Sequence, residues 1–242
     1  PSMQTLSVPE ALRPEWERLT AAARARSLAL PEVMSRAGQW QAEGHAELAA
    51  QLYQAWLDHS EGPMRLVALY NLGTVWSTLR RHEEAAAVYR EALALKPDFL
   101  QARVNLGHQL EHQGRKEEAL QAWQEVVDSD ATAEVMGAAP LEMRLHALKN
   151  MARLLEQERR FPESEALMRR ALTLQPDQPD VLQHYVHIRQ KQCAWPIYEP
   201  VGEVTPNQLL SNTSLLAMLS YSDDPALQLM CAQRFVNEKV TK

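Results

Sequence analysis

Apolar residues recur along most of this chain at helical spacing, and the helical pattern itself repeats. Leu66, Leu69, Leu72, Gly73 and Trp76 form one stripe, and Ala85, Tyr89 and Ala92 form a second. Stripes at these intervals predict two amphipathic helices joined by a short turn. Gly73 and Gly107, Ala85 and Ala119, Tyr89 and Trp123, and Ala92 and Val126 are each 34 residues apart. One such helix pair cannot bury its apolar face alone, so the period predicts a stack of pairs.

Counted from its first core residue, the best-formed unit starts at Leu66 and places Leu69, Leu72, Gly73, Trp76, Ala85, Tyr89, Ala92 and Pro97 at positions 4, 7, 8, 11, 20, 24, 27 and 32. The next starts at Leu100 and continues with Leu106, Gly107, Leu110, Gly114, Ala119, Trp123 and Val126. It departs at Arg103, which takes an apolar position but can lay its stem on the core, and at Ala131, which replaces the closing proline. A further unit runs from Leu145 through Leu148, Met151, Ala152, Leu155, Phe161, Ser164, Met168, Ala171 and Pro176. It begins 11 residues late, and the extra residues fall in Ala131 to Arg144, where Gly137 and Pro140 mark a break. A degenerate first unit starts at Leu30, with Arg36 at an apolar position and Trp56 at a small one.

This filling of positions resembles the tetratricopeptide repeat (TPR) family. The resemblance implies an all-α fold, a right-handed α-solenoid of TPR helix pairs with N-terminal and C-terminal capping helices. Small residues at positions 8, 20 and 27 let the helices of a pair approach, so overpacking there should cost about 1–3 kcal/mol. Residues 1–28 are expected to hold a capping helix over 8–28 with Pro9 in its first turn, 29–178 the solenoid, 179–198 a second capping helix, and 199–242 a helical junction. Pro196, Pro200, Gly202 and Pro206 predict an irregular connector there. Thr205 with Pro206 and Asp224 with Pro225 predict two helix starts. The last helix is expected to run past Lys242, as in a piece of a longer protein.

Composition adds limits. The formal net charge of −6 gives no basic footprint, so nucleic acid is not an expected partner. No apolar run approaches the roughly 18 residues of a membrane span, so no membrane partner is expected. Cys193 and Cys231 make no disulfide framework and no signal-peptide pattern is read, which makes the cytoplasm the expected compartment. Residue 1 is not Met, which leaves a removed targeting segment open.

Candidate chemistry is sparse. There is no Gly-rich phosphate loop, no Cys-x-x-Cys pair and no Ser elbow. His108 and His112 share a helix face, as do His184 and His187, but neither pair has the further ligands zinc wants, so groove residues are the preferred reading and no metal site is expected. Glu83-Glu84, Arg80-Arg81 and Arg159-Arg160 read as solvated turns and faces. One polar set stands out: position 6 is Asn71, Asn105 and Asn150 in three successive units. Position 6 faces the inner, concave side of such a solenoid, and an amide carries both a donor and an acceptor, so the three form a candidate site for substrate-peptide backbone. The competing reading is that Asn at this position merely serves the neighbouring turn.

The segments "QCAWPIYEP" (Gln192 to Pro200) and "SYSDDPALQLMCAQRF" (Ser220 to Phe235) resemble the junction between repeats and catalytic region in the O-linked N-acetylglucosamine transferase family, especially its bacterial SPINDLY-like members. Cys193, Trp195 and Tyr198 carry the first match, and Ser222 to Gln228 the second. The resemblance implies that Asn71, Asn105 and Asn150 hold substrate protein backbone for two Rossmann-like lobes using a nucleotide sugar of the UDP-sugar kind. Those lobes are absent from these residues, so no catalytic residue and no cofactor are expected in this chain. Position 6 of the first unit is Ser35, the capping helix has His184 there, and the insertion before Leu145 shifts Asn150 relative to the other two. Two functions therefore compete: a substrate-recruiting arm of a protein glycosyltransferase, inactive alone, and a free-standing scaffold that docks proteins or extended peptides in its groove or forms a homo-oligomer.

Overall fold

The computed structural model describes residues 8–130 and 139–239. Among the described residues the chain is helical, apart from one isolated bridge between Val201 and Val204. It divides into two compact units, Pro1–Met143 and Arg144–Lys242.

The first unit holds α1 (Arg13–Arg24), α2 (Leu30–Ala42), α3 (Ala46–Leu57), α4 (Arg65–Thr78), α5 (His82–Leu95), α6 (Leu100–His112) and α7 (Lys116–Val127). α2 with α3, α4 with α5 and α6 with α7 are the expected pairs, each packed on the next, and α1 packs on α3. The apolar stripes form the core: Trp40, Leu69, Leu72, Tyr89 and Trp123 are buried. Each pair closes through a residue at position 15 in the left-handed region, Gly44 (φ 84°), Arg80 (φ 58°) and Gly114 (φ 75°). An arginine next to that turn pairs with a glutamate one helical turn on, as Arg81 Nε does with Glu84 at 2.8 Å and Arg115 Nε with Glu118 at 2.6 Å.

The two departures in the degenerate first pair have physical causes. Arg36 pairs with Glu15 of α1 and lies 5.0 Å over the Trp40 ring, so α1 supplies the counter-charge that position 7 would otherwise lack. Trp56 donates its indole N–H to the Leu28 carbonyl at 2.9 Å and is buried against the α1–α2 link. α1 itself is shorter than the expected 8–28. Pro9 accepts the backbone N–H groups of Leu12 and Arg13 in a turn, and the helix starts at Arg13 with Pro14 in its first turn. Arg103 does not simply lie on the core: it pairs with Glu125 of α7 and donates to the Pro97 carbonyl at 2.8 Å.

Residues 131–138 of the expected break lie outside the described residues; Pro140 opens α8 (Pro140–Gln157), so a helix already occupies the end of that stretch. In the second unit α9 (Phe161–Leu174) joins α8 through buried Ser164, whose hydroxyl donates to the Ala152 carbonyl at 2.7 Å. Their turn again uses a left-handed position 15, Arg159 (φ 59°). α10 (Pro179–Lys191) packs on α9, and α11 (Pro206–Ser211), α12 (Leu215–Tyr221) and α13 (Pro225–Lys239) follow.

Both anticipated helix starts are present. Thr205 and Gln208 form a reciprocal capping box for α11, and Asp224 accepts the Ala226 N–H at 2.8 Å. α12, capped by Ser214, was not anticipated. The connector after α10 is irregular in backbone yet firmly docked: Ile197, Val201 and Val204 are buried, and Arg189 holds the segment. Arg189 is 3% exposed, pairs with Glu165, reaches Glu199 Oε2 at 2.7 Å and donates to the Pro196 carbonyl at 2.8 Å.

Candidate functional site

α4 and α6, the first helices of successive pairs, lie side by side. Asn105 Nδ2 reaches the Tyr70 hydroxyl at 3.2 Å, and Gln109 Nε2 reaches Ser77 Oγ at 3.0 Å, so two rungs bridge the helices. Asn105 also donates to the Tyr89 hydroxyl at 3.3 Å. One amide is thus held by two phenols from the preceding pair. Tyr70 in turn stacks on Phe99 at 5.1 Å and meets Tyr89 at 6.0 Å, which fixes its ring.

The phenols are proton donors at any ordinary pH. Burial pushes Tyr89 up to about 12, Thr74 and Asn105 opposing it. Burial likewise raises Tyr70, with Asn105 acting the other way. The same relation recurs one pair earlier, where burial pushes Tyr53 up to about 12 against the influence of Asn71 beside it. Asn71 Nδ2 is shielded from solvent there without a well-formed hydrogen bond, and so is Gln101 Oε1 on α6.

Position 6 therefore meets position 24 of the pair before it. Asn71 and Asn105 are both half-buried, because the tyrosine at position 24 reaches across to them. Asn150 stands on α8 in the second unit and is also half-buried. Tyr70 is the member that the repeat pattern did not single out. Its only sequence signal is a polar aromatic directly before the position-6 asparagine, in "YNLG".

The histidine pairs go elsewhere than to a shared metal. His108 sets its edge against Trp123 at 5.5 Å, whereas His112 stacks on His82 at 4.6 Å. His82 Nδ1 contacts Gln109 Oε1 at 2.9 Å. In the second unit His184 contacts Glu156 at 2.5 Å and Lys191 contacts the same carboxylate at 2.6 Å. Burial would raise the Glu156 carboxyl, but Lys191 and His184 outweigh it and hold it below the usual carboxylate range. Burial and then Lys191 push the His187 imidazole down, against Glu156. Among the described residues no three His, Cys, Asp or Glu side chains converge as a metal-binding group, and no helix is long and apolar enough to cross a membrane. A depression of about 300 Å³ between α3, α4 and α5 is lined in part by Arg65, which donates to the Ser60 carbonyl at 2.8 Å and to Glu91 at 2.6 Å.

Comparison with known proteins agrees with this architecture. The tetratricopeptide repeat model matches residues 41–98, 70–134 and 113–179, together more than half of the chain. The small glutamine-rich tetratricopeptide repeat-containing protein 2 of Mycosarcoma maydis is 30% identical over 110 residues, 43% of this chain and 31% of that protein. The chain spans between 31% and 39% of the length of the curated relatives it matches. Among solved structures, a tetratricopeptide repeat protein from Parabacteroides merdae has a TM-score of 0.59 at 14% identity, over 85% of this chain and 72% of that one. The pilF protein of Pseudomonas aeruginosa has a TM-score of 0.57 at 17% identity, over 94% and 95%. At these identities the structural likeness concerns the fold alone.

Proposed function

Since the chain belongs to the tetratricopeptide repeat family, we propose that it is a protein-interaction module that captures extended polypeptide segments on the face shared by α4 and α6. The observation that supports this reading is the Asn105 amide, clamped between the Tyr70 and Tyr89 hydroxyls. A clamped amide loses little further freedom when a partner arrives, which lowers the cost of binding. An amide pairs with main chain whatever the side chains, so capture is broad rather than specific to one sequence. Each hydrogen bond nets about 0.5–1.5 kcal/mol, so a few of them give weak, transient capture. The test is hydrogen exchange on the chain mixed with a permanently unfolded polypeptide. Added protection at α4 and α6 supports the reading; binding without it there, or no binding, refutes it.

A second reading makes this capture the recruiting step of a protein O-glycosyltransferase of the N-acetylglucosamine type. It rests on the junction resemblance alone: Cys193, Trp195 and Tyr198 in the docked connector, and Ser222 to Gln228 leading into α13. In that reading the lobes that bind a UDP-sugar lie outside this chain, and the chain by itself transfers nothing. Labelled UDP-N-acetylglucosamine supplied to the natural protein that contains this chain would label captured polypeptide. Absence of label leaves the scaffold reading in place and removes this one.

A further inference from the structure

Resting on polypeptide capture at α4 and α6, we infer that Tyr70 is itself a binding residue, that its hydroxyl and the Asn105 Oδ1 together read one peptide group, and that the segment they take is uncharged. Hydrogen-bond bookkeeping leads there. Asn105 spends its two amide hydrogens on Tyr70 and Tyr89, and its Oδ1 has no donor among the described residues. The Tyr70 oxygen accepts from Asn105, while its own O–H has no acceptor among the described residues. Asn105 Oδ1 is not among the solvent-shielded unpartnered atoms, so it stays open at the surface. A donor and an acceptor thus stand within one hydrogen-bonded pair of side chains. A peptide group offers the complement, a carbonyl for the hydroxyl and an N–H for the amide oxygen.

The charge of the surroundings selects the segment. The neighbours at positions 5, 6 and 9 of α4 and α6 are Asn71, Thr74, Val104 and His108, of which His108 alone is titratable, and the charged residue of that stripe, Glu111, stands more than one helical turn beyond Asn105. The equivalent positions on α8 carry Lys149 and Arg153 instead. A charged side chain laid against Tyr70 would lose water and find no partner, which is costly. Binding at this face should therefore depend little on salt, since no ion pairs form to be screened.

The experiment uses the whole chain and three pools of end-capped random peptides of about twelve residues, one neutral, one acidic and one basic, long enough for an extended segment to cross two helices. Wild type and Tyr70→Phe are compared by equilibrium capture. The phenylalanine keeps the ring on Phe99, and a thermal melt checks its fold. The expected result is that wild type captures the neutral pool at least tenfold better than either charged pool. Capture should change less than about twofold between 0.05 and 0.5 M salt, and Tyr70→Phe should weaken it roughly fivefold, the worth of one hydrogen bond. Equal capture by Tyr70→Phe, or preference for a charged pool with steep salt dependence, overturns the inference while peptide capture itself stands. No capture of any pool by wild type refutes the capture reading and this inference with it.

Discussion

Gly73 faces the Tyr89 ring so closely that a methyl group on its α-carbon would come 2.6 Å from the ring edge. The corresponding methyl at Gly107 would overlap the Trp123 indole. Where position 24 is Met168, an unbranched and yielding side chain, position 8 accepts Ala152. Gly73→Ala gains about 1 kcal/mol of helix propensity, yet overpacking a ring costs about 1–3 kcal/mol, so the substitution should lower stability by up to about 2 kcal/mol. Urea denaturation measures this; a variant more stable than wild type would show that Tyr89 moves aside freely.

Arg80 holds φ at 58° in the α4–α5 turn, where Gly44 and Gly114 serve the equivalent turns. A left-handed non-glycine residue costs about 1–2 kcal/mol, and Arg80 is exposed, so Arg80→Gly should raise stability by about 1 kcal/mol. A melting temperature that falls would mean that the arginine side chain contributes more than its backbone strain costs.

Asn105→Ala removes the donor that two tyrosine hydroxyls share, and Tyr89 is 1% exposed. The stability loss should be about 1–2 kcal/mol, because a buried acceptor is left with less than it had. Asn71→Ala should cost less, since Asn71 Nδ2 already lacks a well-formed bond. Equal losses in the two variants, read by chemical denaturation, would show that the Tyr70–Asn105–Tyr89 arrangement contributes nothing special.

The second unit should lose stability on acidification in two steps. A group whose pKa is lower when folded loses its contribution as pH falls from the unfolded value toward the folded one. His187 is pushed down, so its step begins near pH 6.5; Glu156 is held down, so its step begins near pH 4.3. Melting temperature followed from pH 8 to pH 3 should show both, and Glu156→Gln should reduce the more acidic one, to which Glu163 and Asp180, also lowered, contribute as well. An unchanged profile in Glu156→Gln would place the acid-sensitive group elsewhere.

The helix pairs were legible because small and large residues alternate at fixed positions, and that alternation is a packing rule written in one dimension. Leu66 to Pro97 and Leu100 to Asp130 folded as read, and so did the capped starts at Pro206 and Pro225. The burial of the asparagines was not legible. It depends on Tyr53 and Tyr89 reaching from one pair to the next, a contact between residues 16 or 18 apart that no stripe reveals. Tyr70 was hidden for the same reason, since a tyrosine at an inner position reads as surface until its hydroxyl partner is seen. The connector after α10 read as irregular because prolines interrupt it, and the part Arg189 plays in binding it to α10 was not legible.

The most direct measurement is the structure of the whole chain with a neutral peptide bound. Its main chain should run along α4 and α6, with one carbonyl at hydrogen-bond distance from the Tyr70 hydroxyl and one N–H at hydrogen-bond distance from Asn105 Oδ1. A peptide seated on α3, α5 or α7 instead, or one held through its side chains with Tyr70 and Asn105 untouched, would contradict capture at this face.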